Sequence, residues 1–166
     1  MELQFCPALQ KLNRLYREWD GLYHAMALRA GLSDSAFVIF YALAELGEGC
    51  RQKEIAEYYS LSRQTISSSI RHLEKKQYLY LKPGKRRDMH IYLTDAGRQI
   101  VREKIAPVIA MENSVFDALG TEAGEALTAL TEKCVGLYRE KLHAQLQEGC
   151  AAQCPPAERD GHGASL

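Results

Sequence analysis

Gln64, Ser68, Arg71 and Lys75 follow one another at spacings of four, three and four. At roughly 100° per residue such spacings put all four on one face of a helix. Their side chains are an amide, a hydroxyl and two cations, groups that hydrogen-bond to base edges and to phosphates. Thr65, Ser67 and His72 flank that face, and Ile66, Ile70 and Leu73 share the opposite one. Serine is a middling helix former, so the run Ser67-Ser68-Ser69 is a local cost to this helix. A use for it exists: short side chains let a helix backbone lie close to a groove floor, where Gln64, Thr65 and Ser68 can address bases. An ordinary amphipathic surface helix accounts for the same residues when they are taken alone.

The neighbouring segments decide between these readings. Ser62 is a good N-cap, and Leu61 before it can meet Ile66, fixing how the chain enters the helix. Upstream, Gln52 to Tyr59 form a short helix with Ile55, Ala56 and Tyr59 inward, joined to the next by a turn at Ser60 to Ser62. Downstream, YLYLK and MHIYLT alternate with period two around PGKRRD, which predicts a β-hairpin with a basic tip. A short helix, a turn, a capped helix and a hairpin in this order make a helix-turn-helix with a wing. In that arrangement Lys85, Arg86 and Arg87 hold phosphates while the capped helix sits in the major groove of double-stranded DNA.

Charge agrees with this. The chain has 21 basic and 21 acidic residues, but Arg51 to Arg87 carry ten Lys and Arg against three Glu, a balance of +7. Local neutralisation of phosphates needs such a block, although a solvated surface can also carry one.

The flanking segments are helical and more apolar than a small lobe requires. Phe5, Leu9, Leu12, Tyr16, Trp19, Tyr23 and Met26 form one stripe along a first helix that ends near Gly31. Ser33 or Ser35 caps a second helix through Leu46, apolar almost all round and stopped by Gly47 and Gly49. Thr94 or Asp95 caps a long helix from about Ala96 to Leu119. Gly120-Thr121 begins another, with Leu127, Leu130, Cys134, Leu137 and Leu142 at helical spacing. A winged helix of about 70 residues cannot cover so much apolar surface. Burial against a twofold mate, through Phe5, Leu9, Leu12, Leu130, Leu137 and Leu142, would set two recognition helices ~34 Å apart. The other possibility is that these helices fold back on their own chain.

The expected fold is mainly α with a small β-wing: a winged helix-turn-helix plus N- and C-terminal dimerisation helices. The divisions are a dimerisation helix over 1–31, a DNA-binding lobe over 32–95, dimerisation helices over 96–148 and an unstructured tail over 149–166. Hydrophobic residues make up 46% of the chain, enough for a core. No run approaches the eighteen or so apolar residues of a membrane span, and MELQFCPALQ lacks a basic region followed by an apolar stretch, so a cytoplasmic protein is expected.

Catalysis has no carrier here. The sequence contains no phosphate-cradling, nucleophile-elbow, dinucleotide or zinc-hydrolase motif, and no cofactor is expected. Cys150, Cys154 and His162 are too few and too loosely spaced for structural zinc, and no metal is expected. The five cysteines are scattered and odd in number, which does not suit a disulfide framework. Cys6 is expected to be buried or idle; Arg51 beside Cys50 points weakly to a lowered thiol pKa.

The run QKEIAEYYSLSRQTISSSIRHLEKKQYLYLKPGKRRDMHIYLTDAGRQIV resembles the winged helix of the MarR family, the multiple antibiotic resistance regulators. The match is closest at LSRQTISSSIRHLEKK and at the basic wing followed by IYLTDAG, and flanking helices extend it to roughly residues 5 to 146. The resemblance implies a homodimeric regulator, a repressor rather than an activator, that binds a palindromic operator. Release by a small aromatic or lipophilic effector, or by cysteine oxidation, is implied as well. It maps DNA contacts onto Ser62, Arg63, Gln64, Thr65, Ser67, Ser68 and Arg71, and onto Arg87 at the wing. The family commonly carries an acidic residue two positions before that arginine, where this chain has Lys85, so the wing should be more basic. An effector would lie in a cleft lined by Tyr16, Trp19, Tyr23, His24 and Tyr41, unless this aromatic stripe is simply core. The rival function is a winged helix that docks another protein, which calls for apolar anchors on the outer helix face; Gln64, Ser68, Arg71 and Lys75 offer none.

Overall fold

The computed structural model describes residues 4–84 and 88–152, the side chains of 148–152 excepted. It divides into two compact units, one up to Asn113 and one from Ser114. The boundary falls inside a helix, and each unit is described by itself.

The first unit is organised around α2 (Asp34–Glu45), whose Ala36, Phe37, Ile39, Phe40, Ala42 and Leu43 are all buried. Ser33 caps it, accepting from the Ala36 N–H at 3.3 Å. A helix buried on so many sides needs neighbours on so many sides. They are α1 (Pro7–Arg29), α4 (Arg63–Lys75) and a single wide turn at Val101–Ile105. Between them run α3 (Gln52–Tyr58), β1 (Leu79–Pro83), β2 (Met89–Leu93) and α5 (Asp95–Ile100). Phe40, Ile55, Ile66, Ile70, Leu79, Ile91 and Ile105 share one core and are essentially inaccessible to solvent. The mainly helical fold with a small antiparallel wing is the one expected.

Three helix ends follow a common pattern. After α1, α3 and α4 the chain turns through a left-handed residue, Gly31 (φ 72°), Ser60 (φ 51°) and Gln77 (φ 59°). In each case the next N–H reaches back to the last helical turn: Leu32 to Ala27 O, Leu61 to Ala56 O, Tyr78 to Leu73 O. This closure satisfies carbonyls that the helix leaves open and reverses the chain sharply. Glycine is the residue that adopts such a φ freely, so Ser60 and Gln77 hold it at some local cost.

The strands pair in register from Leu79 opposite Leu93 to Pro83 opposite Met89. Residues 49–51 add a third edge, with the Gly49 N–H to Ile91 O at 2.7 Å, the Ile91 N–H to Cys50 O at 3.0 Å, and Arg51 bridging to His90. Period-two alternation sends Leu79, Ile91 and Leu93 into the core and Tyr80 and Tyr92 to the other face.

Two expectations about the helices need correction. Phe5 is not part of the first helix, which starts at Pro7; proline, with no N–H to leave unsatisfied, favours that first position. Phe5 precedes it and is exposed. The long helix after the wing runs to Leu119 but is not a regular α-helix throughout. It begins at Asp95 on the Thr94 cap and widens at Val101–Ile105, where the Ala106 N–H reaches Val101 O, five residues back. Past that turn it continues as α6 (Ala106–Leu119). The wide turn lies against α2 and buries Ile105 there.

In the second unit Gly120, at φ 77°, ends α6 through its N–H to Phe116 O, and α7 (Thr121–Ala152) follows. Gly124 lies where an added Cβ would stand 3.5 Å from Phe116, so the two helices meet closely at this corner. Helical backbone continues to Ala152, past the expected limit at 148; the remainder of the tail, 153–166, lies outside the described residues. Among the described residues no single helix is long and apolar enough to cross a membrane.

Gly97 marks the tightest joint. An added Cβ would stand 1.9 Å from Tyr78 O, a backbone atom that cannot swing aside. Gly97→Ala is therefore expected to destabilise the protein by about 1–3 kcal/mol, the range for an overfilled site. The readout is a lower denaturant midpoint at constant slope. An unchanged midpoint would contradict the close packing of α5 against the start of the wing.

Candidate functional site

The outer face of α4 is built from its inner one. Ile66, Ile70 and Leu73 are buried, which turns Gln64, Ser68, Arg71 and Lys75 to solvent. The Ser62 hydroxyl caps the helix, accepting from the Thr65 N–H at 3.0 Å, and also meets Thr65 Oγ1 at 2.7 Å. Leu61 packs against the core at the entry, as a hydrophobic staple requires. The three serines divide their roles. Ser68 donates to Thr65 O at 2.9 Å, Ser67 Oγ accepts from Arg71 Nη2 at 3.2 Å, and Ser69 donates to Ser35 Oγ at 2.7 Å. Of the three, Ser69 is the one that bonds across to α2, a link that opposes rotation of α4 about its axis. That role was not visible in the sequence, because the partner lies 34 residues away.

Not every cation of the basic block is equally free. Arg63 is paired with Glu57 at 3.7 Å, and Lys53 with the same carboxylate at 3.6 Å. Arg51 holds Glu54 at 2.6 Å and Asp88 at 3.3 Å. The Arg51 guanidinium, through its hydrogen bonds, holds the Glu54 carboxyl below the usual range. Arg71 and Lys75 have no ion-pair partner among the described residues, so their charge faces solvent unopposed. Exposed pairs such as Arg63–Glu57 are weak, about 0–1 kcal/mol, and a phosphate can displace one.

Lys85, Arg86 and Arg87 lie outside the described residues. What holds their flanks is clear. Gly84 N–H donates to Asp88 O at 2.6 Å, and Asp88 is the residue Arg51 reaches. The hairpin is thus tied where its tip begins by Arg51 and Asp88, neither of which stood out in the sequence as an anchor. Below it, Tyr80 and Tyr92 stack at 5.7 Å with Lys82 Nζ 5.2 and 5.0 Å from their rings, a cation–π arrangement that stiffens the exposed face. At the far end Arg98 clasps Glu48 through two bonds, at 2.8 and 3.0 Å, and lowers the Glu48 pKa. Glu48 also accepts from the Leu93 N–H at 3.1 Å.

A cavity of about 490 Å³ opens between α1 and α2 within the first unit. Of the five expected lining residues it brings together Tyr23, His24 and Tyr41. Tyr16 and Trp19 do not line it. They stand on α1, 54% and 46% exposed, because the helical stripe drifts round the axis and only its later turns face α2. Phe37, Tyr59, Asp20 and Asp34 complete the wall. Glu112 of α6 ties it together, accepting from Tyr41 Oη at 2.6 Å on one oxygen and from Tyr23 Oη on the other. Burial first, and then the bond to Glu112, push the Tyr23 phenol up to about 12 and raise that of Tyr41 as well. Tyr59, raised by burial and by its bond to Glu45, behaves alike. His24 Nδ1 meets Asp34 Oδ1 at 2.9 Å.

Two cysteine expectations change. Cys50 is buried, and burial pushes its thiol up to about 11; Glu54 adds to the rise, so the neighbouring Arg51 does not activate it. Arg51 spends its charge on Glu54 and Asp88. Cys6 is exposed rather than buried, at the start of α1, where the backbone N–H groups of Leu9 and Ala8 lower its pKa.

A short helix, a tight left-handed turn, a capped helix with a polar outer face and a wing on the same core define a winged helix-turn-helix. Residues 30–87 match the sequence profile of the MarR family. The fold recurs in a MarR family regulator from Neisseria meningitidis, at 20% identity and a TM-score of 0.75 over 84% of this chain and 99% of that one. It recurs in Staphylococcus aureus MepR, solved as a complex with DNA, at 20% identity and 0.62 over 81% and 99%. A Mycobacterium tuberculosis MarR family protein, solved with p-aminosalicylic acid, aligns at 22% identity and 0.55 over 78% and 98%. The likeness to the MarR family thus lies in residues 30–87, and the fold is the one these MarR family regulators share.

The thiols supply a direct check of the local electrostatics. At mildly alkaline pH, alkylation followed by mass spectrometry should modify Cys6 well before Cys50, since the thiolate is the reactive form and Cys50 is both shielded and raised. Equal labelling rates would contradict this description of the Cys50 environment.

Proposed function

We propose that this protein is a cytoplasmic, homodimeric repressor that binds a palindromic operator through α4 and the wing, and that a small molecule entering the α1–α2 cavity releases it. The observation that carries the DNA reading is the outer face of α4: uncharged and short at Gln64, Thr65 and Ser68, then cationic at Arg71 and Lys75, neither of which has an ion-pair partner among the described residues. In the major groove the first part reads bases and the second meets phosphate. Ser62, Arg63 and Ser67 complete the contact surface, with Lys85, Arg86 and Arg87 at the wing. The structure of MepR with DNA, a protein of the same fold, supports DNA binding by this chain.

Dimerisation is supported by apolar surface left open in the single chain. Leu130, Leu137 and Leu142 of α7 are each at least half exposed, as is Phe5, and Leu12 is 39% exposed. Leu9 is partly covered. Stripes of this kind are covered in soluble proteins by a partner, and a twofold mate matches a palindrome. Release by a ligand has the cavity in its favour, together with the relative solved with p-aminosalicylic acid. Release by oxidation has, among the described residues, the exposed Cys6 and the partly exposed Cys134, since Cys50 is shielded.

The test is a substitution on each part of α4. Arg71→Ala should weaken operator binding on every sequence and flatten the logarithmic salt dependence by about 0.9 for each phosphate left unneutralised. Gln64→Ala should instead relax sequence preference, costing roughly 1–3 kcal/mol on the operator if the amide makes a bidentate pair with a base. If Arg71→Ala leaves affinity and slope unchanged, the DNA face has been misplaced.

A further inference from the structure

The chemistry of the α1–α2 cavity narrows what it accepts. Its rings come from Tyr23, Phe37, Tyr41 and Tyr59, and its charged wall from Asp20 and Asp34, with no Lys or Arg in the lining. His24 is the one basic group, and Asp34 already engages its Nδ1. Behind the rings stand two further carboxylates, Glu112 bonded to Tyr23 and Tyr41, and Glu45 bonded to Tyr59. Asp20 has no ion-pair partner among the described residues. The hydroxyl protons that an anionic ligand would seek are all donated to these carboxylates. An anion here would find spent donors and like charge. A cation finds the opposite: ring faces within a partly enclosed space, an unpaired carboxylate at the wall and a second layer of negative charge behind it.

We propose that the cavity takes a small organic cation, a quaternary or protonated amine carried on an aromatic body, with its charge against the tyrosine faces and the Asp20 carboxylate and with Glu112 behind the rings. The volume of about 490 Å³ suits such a molecule and falls within the usual range for ligand sites. The neutral Tyr23 phenol, its pKa raised to about 12, keeps its proton on the bond to Glu112 across the physiological range. Glu112 therefore presents its charge through ordered hydroxyls rather than into open water. The inference rests on the cavity being the effector site of the proposed repressor, but the binding step is measurable without DNA.

The experiment compares three probes of similar size on the full, DNA-free chain by calorimetry: phenyltrimethylammonium, its uncharged isostere tert-butylbenzene, and the benzenesulfonate anion. The cation should bind about tenfold or more tightly than either of the others, the scale of one or two cation–π contacts plus a carboxylate. Glu112→Gln, which removes the charge, keeps an acceptor oxygen for one tyrosine and turns an amide donor to the hydroxyl oxygen of the other, should weaken the cation about tenfold and leave tert-butylbenzene within about twofold. Asp20→Asn, at an exposed site where misfolding is not a concern, should weaken the cation severalfold. Equal affinity for cation and isostere, preference for the sulfonate, or no uptake of the cation overturns the inference. Operator binding is measured separately on the same samples. Absence of a charge preference with operator recognition intact sinks this inference alone; cation binding without operator recognition sinks the repressor reading and leaves the cation site standing.

Discussion

Burial of Ile66, Ile70 and Leu73 is the constraint on which the remaining geometry depends. Each is at most 2% exposed, and together they commit one side of α4 to the core around α2. A helix so committed cannot rotate without exposing large apolar groups, at roughly 1.5–3 kcal/mol for each side chain. The Ser69–Ser35 bond further opposes rotation about the axis. Gln64, Ser68, Arg71 and Lys75 point outward because the opposite residues have nowhere else to go. The strands of the wing are anchored to the same cluster through Leu79, Ile91 and Leu93, so α4 and the two strands share one core.

Electrostatics then divide the basic residues into two groups. Arg51 and Arg98 are structural: each holds two carboxylates, Glu54 and Asp88 or Glu48 and Asp95, and each ties a strand end to a helix. Lys82 lies over its tyrosine pair. Arg71 and Lys75 project without an acidic partner among the described residues. A chain whose formal charge is zero can in this way present a positive face, since the acidic residues are spent elsewhere. The cavity shows the reverse bias, with carboxylates in excess and tyrosines as the intermediaries.

Local features were legible in the sequence because their causes are local. Ser62, Ser33 and Thr94 cap helices through bonds to residues three positions on, and the alternation of YLYLK and MHIYLT follows from the pleat. The inward side of α4 follows from the helical period. What escaped has causes far along the chain. Glu112 sits 89 residues from Tyr23 and 71 from Tyr41, and nothing in its own segment distinguishes it from any other helix carboxylate. Asp88 gains its meaning from Arg51, 37 residues earlier. The wide turn at Val101–Ile105 is the exception, with a local cause: Pro107 has no N–H for the Glu103 carbonyl four residues back and its ring crowds that carbonyl, a signal the helical reading of the segment passed over. The family resemblance located the cavity's neighbourhood, yet placed Tyr16 and Trp19 in a wall that only the later turns of α1 reach.

Sequence-specific DNA binding by the α4 and wing surface is the central claim. The most direct measurement is binding of the unmodified protein to the DNA upstream of its own gene, against a random duplex of equal length, across a series of salt concentrations. A preference of about a hundredfold or more with a steep salt slope is predicted, within the ratios that specific regulators reach. Weak binding, equal on both duplexes and on fragments tiled across the rest of the genome, would contradict it.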